Sequence, residues 1–154
     1  MISISKNKKL YIFSALVICF SFISVFFRNI IINNFDNKDL FILTIDHLKN
    51  YGAAFSLFHT HTSFLVVISA IILLMVIVYI IKNIDSFSKQ DVFFSSLLCS
   101  GIICNLFERI IDGFVTDYIR LNFVSFPIFN ISDMFICIGA FALICNILFN
   151  NDND

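Results

Sequence analysis

Four apolar runs, 10–32, 63–81, 92–111 and 128–149, each hold about as many residues as a helix needs to cross hydrocarbon. They leave little chain for anything else. With 59% hydrophobic and 14% charged residues among 154, and one proline, the apolar surface is too large for a water-soluble domain of this length. The fold class expected is therefore an all-α membrane protein of four transmembrane helices in a single domain, 1–154. The first run follows "KNKK" and has no small-residue cleavage site after it, so it reads as an uncleaved anchor. Lys6, Lys8 and Lys9 precede run one, and Lys82 and Lys89 lie between runs two and three. By the positive-inside rule both termini and the 2–3 connection are cytoplasmic.

That topology collects the polar residues at one face. Arg28 and Asn29 close run one, "KNYGAAFS" (49–56) precedes run two, "NLFERIIDGFVTD" (105–117) closes run three, and "FNISD" (129–133) opens run four. All four fall on the outer side. "LFILTID" (40–46) is rich in β-formers, and "DYIRLNF" (117–123) alternates Ile119, Leu121 and Phe123 with Arg120 and Asn122, so short strands are expected there. Unpaired edges cannot sit in hydrocarbon, which puts these strands at headgroup level or against the bundle.

Several chemistries are disfavoured. There is no HExxH, no GxSxG and no glycine-rich phosphate loop. The five cysteines lie in apolar runs and read as small hydrophobes, and His47, His59 and His61 read as solvated loop residues, so neither a disulfide, a metal nor a cofactor is expected. The net charge of −1 gives nucleic acid no purchase. What remains is Asp117 and Asp133, placed by the run 3–run 4 hairpin at the same interface. Two close carboxylates in a low dielectric cannot both ionise, so one can donate a proton while the other activates water. Such a pair titrates as a unit. The same residues admit other readings: Asp133 as a helix cap, Asp112 beside Gly113 as a turn, Glu108 and Arg109 as an intramembrane ion pair, and the carboxylates as part of a proton-linked transporter.

The motifs add a resemblance. "NYGAAFS" (50–56) is similar to the N-x-G-A-A-F-S box of bacterial lipoprotein signal peptidases, also called signal peptidase II. "CNLFERIIDGFVTDY" (104–118) resembles their G-N-x-x-D-R, G-x-V-x-D box, and "FNISD" their F-N-x-A-D box, in the same order along nearly the whole chain. The resemblance implies an aspartyl endopeptidase of the bacterial inner membrane that removes the signal peptide from a prolipoprotein, just before its diacylglyceryl-modified cysteine. It implies Asp117 and Asp133 as the catalytic pair. Asn50, Gly52, Asn105, Arg109 and Asn130 are implied to shape the site and hold substrate backbone, with Glu108 and Arg28 in support. It further implies inhibition by the cyclic peptide globomycin, membrane lipid around a single copy of the chain, and a small β-cradle with a short surface helix on the outer side. The chain departs from the pattern at Ser24, where the family usually has Asp, at Arg28 for Lys, Cys104 for Gly, Glu108 for Asp, and Ser132 for Ala. These changes surround the pair, which leaves a weak or inactive relative that only binds prolipoprotein as the alternative.

Overall fold

The computed structural model describes residues 5–35, 37–52 and 62–150. Its elements run α1 (Lys6–Asn34), β1 (Lys38–Asp39), β2 (Leu43–Asn50), α2 (Thr62–Asn83), α3 (Lys89–Asp112), β3 (Val115–Leu121) and α4 (Ile131–Asn150). α1, α2 and α3 are long and apolar enough to cross a membrane, and α4 is apolar over the shorter stretch Ile131–Asn146. The short surface helix implied by the resemblance is not among these elements, and the 53–56 part of "NYGAAFS" lies outside the described residues, as do His59 and His61.

α3 is the central helix. It packs on α1, α2 and α4, and eleven of its residues are buried, among them Ser95, Ser96, Ser100 and Gly101. Lipid tails are as apolar as leucine, so helices associate through close packing of small residues rather than through hydrophobic exclusion. A methyl group on Gly101 would lie 2.4 Å from the Ser132 carbonyl oxygen, and one on Gly139 2.6 Å from that of Phe94. The buried serines return their hydroxyls to their own helix: Ser96 to the Val92 carbonyl at 2.6 Å and Ser100 to that of Leu97 at 2.8 Å. The large exposed side chains of α2, such as Val67, Ile71, Leu74 and Met75, form an apolar outer surface instead.

The end opposite the polar clusters is closed by side chains. Ser88 and Asp91 form a reciprocal capping box at the start of α3. Asp91 also accepts from Asn146 of α4, and Lys9 of α1 donates to the carbonyls of Asp85 and Phe87 at 2.7 Å each. The "KNKK" segment is therefore helical, which makes α1 longer than the apolar run.

At the other end β1, β2 and β3 form an antiparallel sheet in that order. Both main strands are displaced from the β-rich stretches seen in the sequence. Phe41, at φ 68°, turns the chain between β1 and β2, so β2 starts at Leu43 and continues through "HLKN". β3 begins at Val115, inside the polar stretch, and ends where Asn122 turns its amide onto Asp39 and the Phe41 carbonyl. The register shifts by one residue between Ile45 and Leu48. Side chains alternate with period two, so this bulge moves Leu48 and Asn50 onto the face of Leu43 and Ile45, which is the face of Asp117. Phe129 forms an isolated bridge with Ile119, which delays the start of α4 to Ile131 rather than 128.

Candidate active site

Asp133 enters the site through a helix start. The Asn130 side chain accepts from the Asp133 N–H at 2.9 Å, and the Asp133 carboxylate accepts from the Asn130 N–H at 3.1 Å, a reciprocal cap on α4. The cap reading of Asp133 holds, yet it occupies only one carboxylate oxygen. The other, Oδ1, accepts from Asn105 of α3 at 2.7 Å. Asp117 comes from the middle of β3 and is 2% exposed. Its Oδ2 accepts from Asn50 at 2.8 Å and its Oδ1 from Asn130 at 3.0 Å. Asn130 thus touches both carboxylates' surroundings, with its side chain on Asp117 and its backbone on Asp133, and it also donates to Asn105 at 3.3 Å.

Both aspartates, with Asn50 and Arg109, line a cavity of about 490 Å³. Its remaining wall is mostly apolar, including Phe126, Ile128, Phe129, Met134 and Ile136. Burial raises the Asp117 carboxyl to about 7, and the neighbouring Asp133 charge pushes it the same way against the opposing effects of Asn50, Asn130 and Arg109. A carboxyl so placed holds its proton through much of the neutral range. Burial also pushes the adjacent Tyr118 phenol up to about 12, so it stays neutral.

Arg109 donates to the Gly52 carbonyl at 2.9 Å, while the Gly52 N–H reaches Asn50 Oδ1 at 2.9 Å. Residues 50–52 are pinned beside Asp117 by these two bonds. The Arg109 Nε is buried without a partner among the described residues. Glu108 and Arg109 do not pair. Successive residues on a helix point about 100° apart, and Glu108 turns instead to Arg28, with Nε at 3.0 Å, and to the Thr116 N–H at 2.9 Å. Arg28 and Glu108 stay behind the cavity wall. Asp112 ends α3 beside Gly113, whose φ of 79° makes the left-handed C-cap, and it also pairs with Arg28 at 3.1 Å.

All three changed positions with hydroxyl or thiol side chains have partners. Ser24 and Ser132 lie 2.6 Å apart, oxygen to oxygen, and Cys104 donates to the Ser21 carbonyl at 3.8 Å. Thr116 and Tyr118 flank Asp117 and make contacts that motif reading passes over. Tyr118, 1% exposed, accepts from the Ile131 N–H at 3.2 Å and so helps start α4. The one signal for them in the sequence is adjacency to Asp117.

A family model described as signal peptidase (SPase) II matches residues 16–149. The chain belongs to the signal peptidase II family. It is thereby a protease and, with its apolar helices, a multi-pass membrane protein. Among the similar relatives of this signal peptidase II member is a lipoprotein signal peptidase of Buchnera aphidicola subsp. Schizaphis graminum, 40% identical over 123 residues, 74% of this chain and 76% of that one. Another, from Streptococcus thermophilus, is 32% identical over 112 residues, 73% of this chain and 72% of that one. Two solved bacterial membrane enzymes, each 26% identical, superpose with TM-scores of 0.82 and 0.77. The first covers 92% of this chain and 90% of its own, the second 89% and 92%.

Proposed function

We propose that the protein removes signal peptides from prolipoproteins as an aspartyl endopeptidase, cutting just before a diacylglyceryl-modified cysteine. The observation that carries the aspartyl mechanism is the pair of carboxylates, Asp117 and Asp133, facing one cavity and joined through Asn130. One carboxylate takes a proton from a water as its oxygen attacks the scissile carbonyl. The other carboxyl gives its proton to the carbonyl oxygen, and a proton then passes to the leaving amine as the C–N bond breaks. The raised Asp117 suits it to hold the shared proton near neutrality.

The surrounding residues fit a peptide substrate. Asn50 and Asn105 orient the two carboxylates, and Arg109, which lines the cavity, can donate from its guanidinium to a backbone carbonyl of an extended chain. The apolar wall accepts small side chains of a signal peptide and the first carbons of the lipid. All four helices cross the inner membrane in this reading, with both termini cytoplasmic and the cavity at the outer face. Lys6 and Lys9 then lie at the cytoplasmic end, as the positive-inside rule requires.

The test is cleavage of a diacylglyceryl-modified prolipoprotein by the purified protein in detergent. Asp117→Asn and Asp133→Asn should each abolish product while remaining folded, and globomycin should block the wild type. Cleavage that persists in both variants rules out the aspartyl pair.

A further inference from the structure

α1 contributes nothing to the lining of the cavity, yet it reaches the residue just before each carboxylate. Ser24 and Arg28 are four residues apart and share one face of the helix. Ser24, 4% exposed, meets Ser132 Oγ at 2.6 Å, and Ser132 immediately precedes Asp133. Arg28 Nη2 donates to Thr116 Oγ1 at 3.2 Å, and Thr116 immediately precedes Asp117. The second link is doubled: Glu108 Oε2, paired with Arg28 Nε at 3.0 Å, accepts the Thr116 N–H at 2.9 Å.

We propose that Ser24 and Arg28 are positioning residues, and that α1 is a two-point brace setting the spacing of Asp117 and Asp133 through Thr116 and Ser132. The inference rests on the reading of those aspartates as the catalytic pair. The physical need is plain. The two carboxylates come from a strand and a helix that Asn130, Tyr118 and the Ile119–Phe129 bridge tie together locally, and neither has a fixed position against the rest of the bundle from those links alone. A single helix face supplies that common reference. Buried hydroxyls that lose one partner leave the other unsatisfied, so the Ser24–Ser132 link has one preferred geometry. The guanidinium fork of Arg28 serves Glu108, Asp112 and Thr116 together, which an ammonium cannot do with the same fixed geometry.

The experiment measures kcat and KM on a diacylglyceryl-modified prolipoprotein, per mole of folded protein, with the unfolding midpoint read in parallel. The variants are Ser24→Ala, Ser132→Ala, their double, Arg28→Ala, Arg28→Lys and Glu108→Gln. A brace predicts that the single Ser changes and Arg28→Ala lower kcat roughly ten- to a hundredfold with KM nearly unchanged. The double Ser variant should lose no more than the worse single one, because both remove the same bond. Arg28→Lys, which keeps the charge, and Glu108→Gln, which keeps an acceptor for the Thr116 N–H, should each lose less than Arg28→Ala. Losses that follow the unfolding midpoint alone, fall only on KM, or add in the Ser pair overturn the brace. If Arg28→Ala does not fold, Arg28→Lys and the Ser double variant carry the same comparison. Wild type that fails to cleave overturns both readings. Cleavage abolished by Asp117→Asn and Asp133→Asn but undiminished in the brace variants overturns this one alone.

Discussion

The burial of Asp117 predicts that it destabilises the wild-type protein as pH rises, and that Asp117→Asn removes the part of the pH dependence that Asp117 contributes. The carboxyl moves from its ordinary 3.8 in the unfolded chain to about 7 in the fold. Between those values the folded protein keeps a proton that the unfolded chain has released, so stability falls with rising pH and the loss is complete above about pH 7 to 8. At about 1.4 kcal/mol per pH unit the full loss is about 4 kcal/mol, or roughly 8–16 °C in unfolding midpoint for a chain of this size. The Asn variant has no carboxyl at 117, but it loses hydrogen bonding there. Asn50 and Asn130 both donate to Asp117, and both have their own amide oxygens committed, to the Gly52 and Asp133 N–H groups. An amide at 117 offers one acceptor to these two donors, which costs about 1–2 kcal/mol. The variant is therefore less stable than wild type at pH 4, crosses it near pH 5, and is more stable by about 2–3 kcal/mol at pH 8.5. Denaturation in detergent micelles from pH 4 to 8.5 measures this directly. A second variant, Asp133→Asn, should flatten the wild-type curve in part, since the Asp133 charge is one of the causes raising Asp117. Parallel curves for wild type and Asp117→Asn would mean that Asp117 titrates as an ordinary carboxylate, and the account of the buried pair would be wrong.

Three further outcomes are expected. The Arg109 charge lowers the Asp117 value, so Arg109→Gln should move the alkaline limb of the kcat/KM profile to higher pH, besides raising KM; a limb that stays in place would disconnect Arg109 from the carboxyl. Asn130→Ser keeps an N-capping oxygen on α4 but loses the amide that reaches Asp117, so unfolding should change by about 1 kcal/mol or less while cleavage falls sharply, as read by denaturation beside turnover. Gly101→Ala and Gly139→Ala should each destabilise by about 1–3 kcal/mol, but only Gly101→Ala presses on the Ser132 carbonyl beside Asp133, so specific activity of the folded fraction should fall in that variant alone.

Gly101 illustrates where sequence reading stops. The residue types and spacings make a membrane chain of apolar helices legible, because hydrocarbon admits few other solutions, and they bring Asp117 and Asp133 to the same end of the bundle. Asn50, Asn105, Arg109 and Asn130 were legible through motifs. Their division of labour was not: which asparagine serves which carboxylate depends on a one-residue bulge in β2 and on the capping turn before α4. The strand limits differ from the β-rich stretches by two to four residues, because β-propensity marks a stretch that can pair and not the turn that ends the pairing. Glu108 and Arg109 looked like partners in sequence, and helical geometry separates them.

Residue types alone dictate the solvent, the apolar helices and the end of the molecule at which the carboxylates gather, since burial of polar groups in lipid is costly enough to be read residue by residue. That Ser24 meets Ser132 and Arg28 reaches Thr116, across 108 and 88 residues of chain, emerges only in the folded bundle. Contacts between such distant positions follow from how helices pack, and packing depends on the shapes of all the small residues along α3 together. No local pattern in the chain encodes it.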